Sequence, residues 1–194
     1  MKKPIFLSAS VPSRKPFVDD YDAIAIREAI LSLIAVTVRE RELVFGGHPA
    51  ISPLVEHAAR SLGAMERVHI YQSRFFEHII PEVAKEFPNL HWTERAGNDG
   101  GTLNDSLEVM RREMIGSRDF CAAVFIGGME GIFDELRLFK EIHPGRVIIP
   151  VASTGGAAKT LSQQGEGPRD EEALFLLKDE NRYRRVFKKL LPTD

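Results

Sequence analysis

The chain has a single cysteine, Cys121, which excludes an intramolecular disulfide and any thiolate metal cluster. It has no long apolar run: Ile5 to Leu7, behind Lys2 and Lys3, is too brief for a signal-peptide core and far short of a membrane span. A cytoplasmic location without membrane contact is therefore the expectation. Charge of one sign is also missing, since a net charge of -2 leaves no electrostatic footprint for nucleic acid. His57, His69, His78, His91 and His143 stand at no metal-ligand spacing, so no metal is expected. No G-x-G-x-x-G follows the first apolar run and no G-x-x-x-x-G-K-[ST] occurs, which removes the main support for dinucleotide and P-loop sites. No cofactor is expected either.

Short apolar runs alternate with amphipathic stretches along the 194 residues. Strands are predicted at Ile5 to Leu7, Leu43 to Phe45, Val68 to Tyr71, Cys121 to Ile126 and Val147 to Ala152, with a short one at Leu90 to Thr93. Asp22 is placed to cap a helix whose apolar stripe is Ile26, Ile30, Leu33 and Ile34. Further helices are predicted from Ser52, from about Phe76 to Phe87, from Leu103 to Met114 and from Gly131 to Ile142. Alternation of this kind implies one α/β, Rossmann-like, doubly wound domain with a mostly parallel sheet. Its core runs from about residue 4 to 162, and a helical tail at about 171–191 packs on it. Pro12 to Asp20, Gly97 to Thr102 and Gly155 to Asp170 are the expected mobile segments.

In such folds ligands sit outside the carboxyl ends of the strands, where strand order reverses. Small and polar residues collect at four of these ends. The first strand ends in Ser8 and Ser10, the second in Gly46, Gly47 and His48, the fifth in Gly127 and Gly128, and the last in Thr154, Gly155 and Gly156. Glycines there let backbone approach a ligand, and the first turn of a helix favours an anion such as phosphate. Glu130, Asp134 and Glu135 flank or occupy the first turn after Gly131, which adds carboxylates that phosphate binding does not need. The combination points to a nucleotide site with a sugar-facing acid. His48 either contacts phosphate there or faces solvent, and the acids of the first turn are also favoured by the helix dipole alone.

The loops Phe45-Gly46-Gly47 and Gly127 to Glu135 resemble those of the Lonely Guy (LOG) nucleotide phosphoribohydrolases and the wider SLOG superfamily, which includes nucleotide sensors of bacterial signalling and defence systems. The likeness extends through Met114 to Phe125 and to Ser153 through Ala158. It implies a domain that binds a nucleotide or ADP-ribose-type signal, forms a homodimer or higher homo-oligomer, and as a sensor engages an effector protein. The alternative it implies is a phosphoribohydrolase that cleaves the N-glycosidic bond of a nucleoside monophosphate; a nucleoside deoxyribosyltransferase-like enzyme is a more distant one.

The LOG signature is P-G-G-x-G-T-x-x-E. Here Ile126 stands for the proline, an extra residue separates Gly128 from Gly131, and Ile132 stands for the threonine. Glu135 aligns with the signature glutamate, and the family's arginine falls near Met110, beside Arg111 and Arg112. Helix geometry places Arg111 on the flank shared by Leu107 and Met114 and turns Arg112 about 100° further round. If the domain is an enzyme, the resemblance implies that Glu135 carries the chemistry, with Asp134 or Glu130 as the second choice, and that Arg111 neutralises phosphate. The departures fall on catalytic positions while the binding loops persist, which favours sensing over hydrolysis.

Overall fold

Unbroken apolar runs suit strands buried on both faces, and here they pair edge to edge. The computed structural model describes residues 2–97 and 102–193. In chain order, β1 (Ile5–Ser10), α1 (Ala23–Thr37), β2 (Leu43–Phe45), α2 (Ser52–Ser61), β3 (Val68–Ser73), α3 (Glu82–Lys85) and β4 (Asn89–Thr93) form the first half. Then follow α4 (Leu103–Gly116), β5 (Ala122–Gly127), α5 (Gly131–Ile142), β6 (Val147–Val151), α6 (Gly156–Gln163), α7 (Glu171–Lys178) and α8 (Tyr183–Leu190). The six strands lie in the order β4-β3-β2-β1-β5-β6, all parallel. The chain winds outward from β1 through β4 and then returns to β5 on the other side of β1. The switch point is thus between β1 and β5.

Alternation along each strand divides the core in two. Ile5 and Leu7 face α1, α2 and α8, with Ile26, Ile30, Leu33 and Ile34 of α1 packed against them. Phe6 and Phe125 face the other way, onto Met114 of α4, Phe139 of α5 and Leu161 of α6. The carboxylate of Asp22 accepts hydrogen bonds from the amides of Ile24 and Ala25 at 2.8 and 2.9 Å, starting α1 where the sequence predicts it.

Two expectations are corrected. The helix predicted from Phe76 to Phe87 is a 3-10 turn at Arg74–Phe76 and the four-residue α3. Pro81 has no amide hydrogen to give and drives the residue before it out of helical conformation, so the apolar spacing of Phe76, Ile80 and Phe87 cannot be read through it. The segment Gly155 to Asp170, expected to be mobile, contains α6, because Ala157, Ala158 and Leu161 share one face and are fully or almost fully buried. Of the expected loop Gly97 to Thr102, residues 98–101 lie outside the described residues.

The C-terminal tail joins the core through α8. Val186 and Phe187 are fully buried and share a cluster with the apolar stripe of α1. Arg41, itself buried, donates to the carbonyls of Lys3 and Pro192 and so ties the two ends of the chain to one point. Truncating Phe187 to alanine is expected to cost about 3–5 kcal/mol in a urea titration. A loss below about 1 kcal/mol would mean that the tail unfolds apart from the sheet.

Candidate functional site

A cavity of about 390 Å³ opens at the carboxyl edge of the sheet, at the switch point and extending toward β3. Its floor is built from strand ends: Ser8 and Ser10 of β1, then Gly46, Gly47 and His48 after β2, then Gln72 of β3. Arg111 and Met110 of α4 form one wall, and Gly131, Ile132 and Glu135 of α5 another. The segment that Pro81 keeps from becoming a helix supplies Phe76, Ile79 and Ile80, which make that end of the cavity apolar. Arg14, from the loop after β1, stands at the rim and pairs with Glu130 at 2.9 Å.

Glu135 is the centre of the polar end. One of its carboxylate oxygens accepts a short hydrogen bond from the Ser8 hydroxyl, and the other lies 3.7 Å from Nε of Arg111. Arg111 in turn donates from Nη1 to Asp134 Oδ2 at 2.9 Å. The Glu135 and Arg111 side chains are only 16% and 12% exposed, so the pair is largely out of water. At 3.7 Å the contact is an ion pair and not a hydrogen bond, and Nε of Arg111 is buried with no hydrogen-bond partner among the described residues. Burial raises the pKa of Glu135 above the ordinary carboxylate range; Arg111 and Ser8 oppose the shift, and the nearby charge of Asp134 adds to it.

Glycine is required around this centre for space. A Cβ at Gly131 would lie 2.6 Å from Nη2 of Arg111, so a side chain there would push the guanidinium aside. Gly47 has a φ of +65°, and a Cβ there would meet Nε2 of Gln72 at 2.2 Å. His48 is partly buried, which lowers its pKa. Its Nδ1 accepts from the Ala50 amide at 3.2 Å, which orients the ring.

The residues named from the sequence therefore separate. Glu135, Arg111, Ser8, Ser10, Gly46, Gly47, His48 and Gly131 line one cavity. Asp134, Glu130, Gly127, Gly128, Thr154, Gly155 and Gly156 are not among its lining residues. Asp134 pairs with Arg111 and Glu130 with Arg14, both of which line the cavity. Thr154 is fully buried, donating to the Val151 carbonyl at 2.6 Å and accepting from the Gly127 amide at 2.9 Å. Gly156 packs on the Gly127-Gly128 backbone, with its amide on the Asp20 carbonyl and the amide of Ala157 on the Gly128 carbonyl. These glycines brace β5, β6 and the loop before α1 against one another.

Sequence reasoning missed Gln72, Arg14, Met110 and the apolar end. Gln72 was in principle accessible, because a polar side chain near the carboxyl end of a buried strand is the signal used for Ser8. Elsewhere, Cys121 accepts from Arg41 at 3.0 Å near the amino end of β5, far from the cavity along the strand. Among the described residues no group of three or more His, Cys, Asp or Glu side chains is placed to hold a metal ion, and no helix is long and apolar enough to cross a membrane.

A family model described as the SLOG cluster3 family matches residues 16–191. No curated protein matches the chain.

The strain at Glu135 has a measurable sign. Its folded pKa lies above its unfolded one, so its contribution to stability is complete below the unfolded value and is lost as pH rises through the folded value. Glu135→Gln, which removes the charge and keeps the shape, is expected to melt higher than the wild type at pH 7–8, by about 2–4 °C for each kcal/mol recovered. Thermal melts of the two proteins should converge below about pH 4. A variant less stable than the wild type at neutral pH would contradict the assignment.

Proposed function

The chain belongs to the SLOG cluster3 family, and from that premise we propose that its cavity binds a nucleotide or ADP-ribose-type signal and that the protein acts as a sensor in a signalling or defence system. The observation that carries this reading is the shared position of Glu135, Ser8 and Arg111 beside the first turn of α5. A sugar offers hydroxyl donors and acceptors, and Glu135 with Ser8 supplies a matching acceptor and donor. A phosphate needs positive charge, and Arg111 provides it. The apolar end formed by Phe76, Ile79 and Ile80 suits a base. One end of the cavity thus complements a phosphorylated sugar and the other a flat heterocycle.

Binding would exchange the contacts that Arg111 makes with Asp134 and Glu135 for contacts with ligand oxygens. Arg111 comes from α4 and the carboxylates from α5, so ligand charge would act on how those helices meet. That is a route from occupancy to assembly with a second copy or an effector protein.

Hydrolysis is the second reading, and Arg111 is the observation that favours it. Arg111, beside the position where the resemblance sets the signature arginine, lies 3.7 Å from Glu135. In that chemistry water adds to C1 of the sugar, the base leaves with a proton, and a carboxylate stabilises the developing oxocarbenium charge or activates the water. Glu135 is the group for this role.

Thermal shift against nucleoside monophosphates, ADP-ribose and cyclic nucleotides tests both, with each ligand then chromatographed for free base. A ligand at 100 times its Kd adds about 2.7 kcal/mol of stability. Arg111→Ala is expected to weaken binding by about 10- to 100-fold, the worth of a charge-assisted hydrogen bond. Stabilisation without free base supports sensing, and free base that disappears in Glu135→Gln supports hydrolysis. No stabilisation by any of these ligands would contradict both.

A further inference from the structure

Gln72 is 6% exposed and lines the cavity at the apolar end. A buried primary amide can turn either way, and its neighbours decide which end faces them. Here the neighbours are carbonyl oxygens: Nε2 donates to Gly47 at 2.7 Å and to Gly46 at 3.3 Å. Turning the amide over would bring its own oxygen against both, so the orientation is fixed. Oε1 is left without a donor among the described residues, yet it is not one of the sealed, unpartnered polar atoms. The cavity wall therefore presents one oriented acceptor, and the second glycine loop holds it in place.

We infer that Gln72 is a specificity-determining residue whose Oε1 reads a hydrogen-bond donor on the ligand's heterocyclic end, so that the site selects amino over oxo forms of a base. The inference rests on the nucleotide reading above and deepens it. Its geometry fits that reading: β2 lies between β1 and β3, and neighbouring strands are about 4.8 Å apart, so the strand ends that carry Ser8 and Gln72 lie about 10 Å apart along the carboxyl edge that the cavity spans. That separation is comparable with the reach from the phosphorylated sugar to the far edge of a base. An exocyclic amino group satisfies Oε1. An oxo group in the same place sets two acceptors face to face and leaves both unsatisfied, a penalty that corresponds to about tenfold or more in affinity.

The test is calorimetric titration of AMP against IMP and of CMP against UMP, pairs that differ in amino or oxo substitution at one ring position. Wild type should prefer the amino member by at least about tenfold in whichever pair it binds. Gln72→Met removes the acceptor but also the donor on the glycine loop, so its folding is checked by circular dichroism. Gln72→Lys serves beside it, since an ammonium can still donate to the Gly46 and Gly47 carbonyls while offering no acceptor. In a folded variant the preference should collapse to within about twofold, by weaker binding of the amino member. Equal binding of the two members by wild type, or a preference that survives in a folded variant, would overturn the inference and leave nucleotide binding intact. Absence of binding by all four, and by the other nucleotides named above, would overturn both.

Discussion

A carboxyl group taken out of water must be compensated by its own surroundings, and the surroundings of Glu135 come from three parts of the chain. Ser8 arrives on β1, Arg111 on α4, and Glu135 itself on the first turns of α5. None of the three is near another of these segments in sequence, so the centre forms only when β1 and β5 pair and α4 packs on α5. Burying an ion pair is weak support for stability in itself, because desolvation offsets most of the attraction. The raised pKa of Glu135 says that here the offset is incomplete. A site that costs its fold something at neutral pH is what a functional constraint looks like in physical terms.

The remaining architecture serves that placement. β1 is central in the sheet, flanked by β2 and β5, and its carboxyl end is the switch point at which α/β sheets open a crevice. The glycine turns have separate tasks. Gly46 and Gly47 form cavity floor, and Gly131 makes room for the guanidinium. Gly155 lets the end of β6 approach the backbone of Asp20 and Tyr21 before α1, and Gly156 lets it approach the Gly127-Gly128 backbone at the end of β5, more closely than a side chain would permit.

Much of this was legible in the residues. Apolar runs such as Leu43 to Phe45 and Cys121 to Ile126, alternating with amphipathic stretches, read as buried strands and are strands, and Asp22 announces its helix by capping it. Glu135 was named because it aligns with the signature glutamate of the family the loops resemble, and Arg111 because helix geometry turns it, and not Arg112, to the flank of Leu107 and Met114; both line the cavity. What was not legible depended on tertiary contact. Thr154, Gly155 and Gly156 have the residue types of a ligand loop, yet their partners are Val151, Gly127 and Asp20, and nothing local to the sequence says so. Phe76, Ile79 and Ile80 carry helix-like spacing, and the ring of Pro81 overrides it. Gln72 gave a signal of the same kind as Ser8 but without a glycine beside it.

The central claim is that Glu135 is the buried acid around which the ligand site is organised. Carbon-13 NMR titration of the glutamate carboxyls, with Glu135 assigned by its absence in Glu135→Gln, measures this directly, with and without the nucleotide that stabilises the protein most. The account predicts a Glu135 pKa above the ordinary carboxylate range in the free protein and a clear displacement of its resonance when nucleotide is bound. An ordinary pKa, or a Glu135 signal indifferent to a saturating nucleotide, would contradict it.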